Sequence, residues 1–178
     1  MTHPKEIRNI LLTGEQIQER IGLLAKEISG EHSYCEPLIL VGILKGSFYF
    51  LADLSRKISV PVEIEFMQIS TYGGQTESSG KVQILKDLDR DIRGRDVVIV
   101  EDILDTGLTL DYLLRSLATR KPKSLEVCTL LDKVERRKIE VPVAYRGFEI
   151  PNEFVVGYGM DHHQAFRNLS YIGVLDAT

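Results

Sequence analysis

Val97-Val98-Ile99-Val100-Glu101-Asp102-Ile103-Leu104-Asp105-Thr106-Gly107-Leu108-Thr109-Leu110 is the stretch that decides the reading of this 178-residue chain. A β-branched apolar run ends in two adjacent carboxylates. A third carboxylate follows, then Thr-Gly, a second Thr and the start of an amphipathic helical pattern. The pattern predicts a buried strand over residues 97–100 that delivers acids to its carboxyl end. A turn rich in hydroxyls and glycine then meets a helix N-terminus, where free backbone N–H groups and the helix dipole favour an anion. Acids beside an anion cradle suit a ligand carrying a phosphate together with a polyol or a metal ion. A sugar phosphate has that chemistry.

Working outward, Leu110, Leu113, Leu114 and Leu117 fall on one face of the following helix. Before it, residues 37–44 form a continuous apolar run, as in a strand covered on both faces. Lys45-Gly46-Ser47 breaks that run, and Phe48, Leu51, Ala52 and Leu54 begin a helix that stops before Pro61. Thr13 and Gln16 have capping-box spacing, ahead of Ile17, Ile21, Leu24 and Ile28 at helical period up to Gly30. Residues 62–69 alternate and read as a strand with one solvated face. Residues 125–131 read as another buried strand, with short strands near 143–145 and 154–158. Strands alternating with helices give an α/β domain with a mainly parallel sheet. The length suits one domain, residues 1–178.

Composition excludes more than it assigns. Hydrophobic residues make up 43% and charged residues 27%, ordinary values for a globular chain. A net charge of −4 and a pI near 5.6 supply no basic field for nucleic acid or acidic membrane. Cys35 and Cys128 are too few for a disulfide scaffold or metal knuckle. No run approaches membrane-spanning length and the N-terminus opens no secretory segment, so the expectation is a reduced, cytoplasmic protein.

Open α/β sheets bind ligands beyond the carboxyl ends of their strands. That rule gathers Lys45-Gly46, residues 101–109, Asp132-Lys133 and Gly159-Met160-Asp161 into one candidate pocket. Each has a plainer reading. Glu101 and Asp102 could be solvated acids at a strand end, Asp105 and Thr106 an ordinary N-cap, and Lys45 a surface lysine. Lys133 lies within the charged run Asp132-Lys133-Val134-Glu135-Arg136-Arg137-Lys138, for which a solvated face is the usual explanation. Asp161-His162-His163 lacks the spacing of a dedicated transition-metal site. No Gly-Lys-Ser/Thr occurs, so the turn is not a Walker A loop. Residues 70–81 form a long Gly-, Ser- and Thr-rich loop, the kind that inside a compact domain is functional or disordered.

The segment over residues 98–107 closely resembles the phosphoribosyl-pyrophosphate signature of the type I phosphoribosyltransferases. Leu44-Lys45-Gly46-Ser47, Ser70-Thr71-Tyr72-Gly73, Leu85-Lys86-Asp87-Leu88, Gly147-Phe148-Glu149-Ile150-Pro151 and Phe154-Val155-Val156-Gly157-Tyr158-Gly159-Met160-Asp161, then Phe166-Arg167-Asn168-Leu169, narrow the resemblance to the hypoxanthine-guanine branch. These motifs run in family order from about Leu38 to Leu169.

The resemblance implies the type I phosphoribosyltransferase fold, with a small hood built from the N- and C-terminal segments and a flexible lid over about residues 70–81. It implies transfer of the phosphoribosyl group of 5-phosphoribosyl 1-diphosphate to N9 of hypoxanthine or guanine, with Mg²⁺ as cofactor. By matching motif, Asp105 is the proton acceptor near the purine imidazole nitrogen, and Thr106, Gly107, Leu108 and Thr109 cradle the 5′-phosphate. Glu101 and Asp102 hold the ribose hydroxyls, directly or through Mg²⁺. Lys45 and Gly46 bind diphosphate, with Arg167 on its far side. Lys133 donates to the purine 6-oxo group, Phe154 stacks on the base, and Val155 meets its edge. Asp161 contacts a second Mg²⁺ or the nucleotide, so the implied metal residues are Glu101, Asp102 and Asp161. Thr71 and Tyr72 belong to the lid, and the Leu44–Lys45 peptide can be cis. A homodimer or homotetramer is implied as well.

Leu108 stands where some relatives carry lysine, and His162 and His163 where relatives often have an aromatic residue. Glu153 lies near the edge that would read the purine 2-substituent, so preference among hypoxanthine, guanine and xanthine stays open. The alternative is a nucleotide-binding regulator on the same fold, against which stands the intact set of Asp105, Lys133 and Arg167. A sibling transferase for another base is a further option, but Lys133 with Phe154-Val155 points to a 6-oxopurine.

Overall fold

The computed structural model describes residues 6–32, 34–72 and 81–176. Thr13 starts the first helix as its spacing predicts. Its side chain accepts from the Gln16 N–H, and the Gln16 side chain accepts from the Thr13 N–H at 2.8 Å. This box opens α1 (Gly14–Glu31), whose Ile17, Ile21, Leu24, Ala25 and Ile28 are buried. Strand β2 (Leu38–Leu44) is flanked on both sides by parallel partners, β3 (Val62–Tyr72) and β5 (Asp96–Leu104). Strand β6 (Ser124–Asp132) lies parallel to β5, and β7 (Tyr145–Glu149) parallel to β6. Strand β4 (Lys81–Lys86) closes the other edge antiparallel to β3, giving the order β4-β3-β2-β5-β6-β7.

Period-two alternation explains the unbroken apolar runs. Leu38, Leu40, Val98 and Val100 point into the core shared with α1 and α2 (Phe48–Ser55). Ile39, Val41, Val97 and Ile99 point into the core shared with α3 (Leu108–Ala118), through Leu110, Leu113 and Leu117. This is a mainly parallel α/β sheet flanked by helices. A second sheet of order β1-β9-β8 pairs β1 (Ile7–Leu12), β9 (Ile172–Leu175) and β8 (Val155–Val156) antiparallel. It joins the two chain ends into the hood. Among the described residues, no helix is long and apolar enough to cross a membrane.

The structure departs from the sequence reading in definite places. Strand β5 runs on to Leu104, with Glu101, Ile103 and Leu104 in register with Thr129, Leu131 and Asp132, so the acids lie within the ladder. The supposed solvated face of β3 is inverted: Ile64 is 45% exposed while Glu65 is 7% exposed. The reason is electrostatic cover. Arg95 and Arg90 reach Glu63, and the Asp89 N–H donates to Glu65 at 3.2 Å. The charged run that begins at the last residue of β6 is likewise not all surface, because Asp132 and Lys133 are buried. Of the lid expected over residues 70–81, residues 73–80 and the side chains of Thr71, Tyr72 and Lys81 lie outside the described residues. Its flanks are the last residues of β3 and the first of β4, where Tyr72 pairs with Lys81.

Candidate active site

The expected site residues outside the lid lie at strand ends, in the turn and first residues of α3, or in the hood. Lys45 and Gly46 follow β2, and the Leu44–Lys45 peptide is cis. Gly46 is a close approach: a Cβ there would lie 1.7 Å from Asp102 Oδ2. Only glycine lets the β2 end touch the acid of β5. Gly159 packs in turn against the Gly46 carbonyl, where a Cβ would stand at 2.0 Å. The ends of β2, β5 and the hood are therefore stacked against one another.

Asp105, Thr106 and Gly107 make the turn into α3. An Asp or Thr cap is the expected plain reading, and it is not what forms. Gly107 is the N-cap, in the left-handed region at φ 84°, with no side-chain cap bond. The first helical bond runs from the Asp111 N–H to the Gly107 carbonyl at 2.9 Å. The amides of Leu108, Thr109 and Leu110 are left without intrahelical acceptors, as an anion cradle needs.

A cleft of about 330 Å³ is lined by Asp102, Asp105, Lys133, Phe154, Val155 and Asp161, with Ile103, Arg136 and Met160. It unites six of the expected residues from four chain segments. Phe154 is 51% exposed and offers its ring, in a T-shaped contact with His162 at a centroid separation of 5.5 Å. The Lys133 N–H donates to the Leu104 carbonyl. Burial pushes the Lys133 ammonium below the ordinary lysine range, against the opposing pull of Asp105. A charged donor lining the cleft suits a carbonyl acceptor on a ligand.

Glu101 and Asp102 face the cost of adjacency. Burial drives the Glu101 carboxyl well above its ordinary range, and the neighbouring Asp102 charge adds to it. Burial likewise pushes Asp102 up to about 6, with backbone N–H groups and Arg167 opposing. Glu101 Oε2 is buried without a hydrogen-bond partner among the described residues. Two hard oxygen donors, one of them orphaned, fit Mg²⁺, which takes one or two carboxylates and completes its shell with water and substrate oxygens.

Asp161 does not join them in a ready cage, for no cluster of three or more acidic, histidine or cysteine ligands occurs among the described residues. Its oxygens are engaged by Arg167 at 2.6 Å and by the Gln164 N–H at 2.7 Å. Arg167 also donates to the Gly159 carbonyl at 2.7 Å, while its Nε is buried without a hydrogen-bond partner among the described residues. Glu153 is tied to Arg8 at 2.8 Å.

Sequence reasoning missed Arg136, whose Nε lies 3.0 Å from Asp105 Oδ1. It also missed Tyr158, which with Gln18 donates to Asp53 and ties the hood to α1 and α2. Arg136 sat in a charged run, and no local signal separates it from its solvated neighbours. Tyr158 stands inside a recognised motif, but its partner is 105 residues away.

The chain matches known proteins along nearly its full length. Residues 8–163 match the phosphoribosyl transferase domain. It is 54% identical over 179 aligned residues to a hypoxanthine-guanine phosphoribosyltransferase of Mycobacterium avium, covering 98% of this chain and 88% of the relative. It is 48% identical to a hypoxanthine phosphoribosyltransferase of Salmonella typhimurium, covering 95% and 96%. A crystal structure of a hypoxanthine phosphoribosyltransferase from Staphylococcus aureus superposes with a TM-score of 0.91 at 48% identity, covering 96% of this chain and 92% of that one. With this fold, this cleft and these relatives, the chain belongs to the phosphoribosyl transferase family.

Proposed function

We propose that this chain is a purine salvage enzyme. It transfers the 5-phosphoribosyl group of 5-phosphoribosyl 1-diphosphate to N9 of hypoxanthine, and of guanine, releasing diphosphate. The observation that carries the reading is the cleft in which Asp105, Lys133, Phe154 and Val155 meet beside the uncapped N-terminus of α3. The names of the relatives support the substrate.

The free amides of Leu108, Thr109 and Leu110 hold the 5′-phosphate, and Gly107, in the left-handed region at φ 84°, makes the turn that presents them. Phe154 stacks on the purine, while Lys133 donates to its 6-oxo group and selects against a 6-amino base. Asp105 accepts the proton that the purine imidazole must shed to become a good nucleophile. Lys45 and Arg167 neutralise the departing diphosphate as C1 becomes cation-like. Mg²⁺ bound at Glu101 and Asp102 would supply further positive charge to the diphosphate. A lid over residues 70–81, with Thr71 and Tyr72, shields the reacting centre from water. The reading includes a cytoplasmic homodimer or homotetramer, which light scattering of the purified protein checks. Nothing in the cleft or the relatives favours a regulator without catalysis.

The test is purified protein with Mg²⁺ and the diphosphate donor, offered hypoxanthine, guanine, xanthine, adenine and uracil separately. Turnover of hypoxanthine and guanine, and none of adenine or uracil, is expected. No turnover of any 6-oxopurine overturns the proposal.

A further inference from the structure

Arg136 does more than decorate a charged surface. Its Nε lies 3.0 Å from Asp105 Oδ1, its Nη1 donates to Asn152 Oδ1 at 3.4 Å, and it lines the purine cleft. Its side chain is 45% exposed, and exposed ion pairs contribute only about 0–1 kcal/mol to stability. Stability alone is a weak reason for such a contact.

The backbone that carries Arg136 is held on both sides. It closes a single 3-10 turn, Val134–Arg136, in which its N–H donates to the Lys133 carbonyl at 3.0 Å. The next residue, Arg137, is buried against Asp132, which Arg146 also reaches at 2.8 Å. The N–H groups of Lys138 and Ile139 then both donate to the Thr106 carbonyl, at 2.9 and 3.2 Å. The Ile139 carbonyl packs on Gly107, where a Cβ would lie at 2.4 Å. Residues 132–139 thus strap the turn that holds Asp105 and the phosphate cradle.

Asp105 Oδ1 is buried, and it makes no hydrogen bond of good geometry among the described residues although Arg136 stands beside it. The exposure of the Asp105 side chain therefore comes from its other atoms. The terminal torsion of an aspartate is broad, so a lone carboxylate would sample many orientations. We propose that Arg136 is a positioning residue for Asp105: by anchoring Oδ1 it fixes the carboxylate plane and presents the other oxygen to the purine imidazole proton. Arginine suits the task because its charge persists at every working pH. The proposal rests on Asp105 being the proton acceptor, as read above.

The experiment is a double-mutant cycle on the full chain, with hypoxanthine turnover and donor KM measured for wild type, R136A, R136K, D105N and D105N/R136A. R136A is expected to lower kcat roughly 10- to 100-fold, with donor KM unchanged within about twofold and R136K restoring part of the loss. In the D105N background, R136A is expected to cause no further fall. R136Q, which keeps the stem without the charge, is read in the same way should R136A not fold. Unchanged kcat in R136A and R136Q, or an equal loss with and without Asp105, overturns the positioning role alone. An unchanged kcat in D105N overturns the base assignment and this inference together.

Discussion

The backbone N–H of Lys133 donates to the carbonyl of Leu104 at 2.9 Å, tying the end of β6 to the end of β5. The lysine proposed to clamp the purine and the strand that supplies the acids are therefore one rigid corner. The strap that follows Lys133 returns to Thr106, so the same corner fixes the phosphate cradle. The proposed purine, ribose and phosphate contacts then share one frame, which is what transfer at C1 requires.

Lys133 leads to a pH prediction. Burial places its folded-state pKa below the ordinary lysine value of 10.5, so the folded enzyme loses that proton at a lower pH than the unfolded chain. The charge-assisted donor is present below the folded value and lost as pH rises through it. KM for hypoxanthine should rise across that alkaline window. In K133R the guanidinium stays charged, so only the purine's own ionisation, common to both enzymes, should bend the profile. Identical alkaline limbs in wild type and K133R would show that Lys133 does not hold the 6-oxo group.

Gly46→Ala puts a methyl 1.7 Å from Asp102 Oδ2 and 2.5 Å from its Cγ. The carboxylate must swing away, and with it the ribose and metal contact proposed for it. A loss of roughly 100-fold in kcat/KM for the donor is expected, with the fold retained by circular dichroism. Wild-type kinetics in G46A would remove Asp102 from the account.

Tyr158→Phe tests the seam between hood and body. Burial by itself would raise the Asp53 pKa, but the donors Tyr158, Gln18 and Arg56 together hold it below its ordinary value. A depressed carboxylate contributes stability in full above its unfolded pKa, near about pH 4, and loses it as pH falls through the folded value. Y158F should lower urea-unfolding stability by about 1–2 kcal/mol at neutral pH. The difference from wild type should shrink in acid, and a pH-independent difference would point to lost packing instead.

The sequence made the apolar architecture legible because periodicity reports burial directly. Residues 37–44 and 97–100 read as covered strands and correspond to β2 and β5, and Thr13 with Gln16 marked its helix start to the residue. The acids of the site were legible through motif order, since Glu101, Asp102 and Asp105 sit together in the chain. What stayed hidden were polar groups that fold satisfies at a distance. Glu65 read as a surface charge because the Asp89 N–H that satisfies it lies 24 residues away, and Asp132 because a charged run does not reveal that Arg137 within it and Arg146 beyond it fold back onto a buried carboxylate. Arg136 was hidden for the same reason, and so was the Gly107 cap, because two stronger capping residues precede it.

The most direct test of the central claim is a single-turnover experiment on Asp105→Asn. Enzyme in excess, Mg²⁺ and the diphosphate donor are mixed with hypoxanthine, and nucleotide formation is followed by rapid quench. The asparagine keeps the shape but cannot take the purine proton, so the chemical step should slow by roughly 100-fold or more while the dissociation constant of the donor stays within about twofold of wild type. An unchanged chemical step, or a loss that falls equally on donor binding, would contradict a proton acceptor at Asp105.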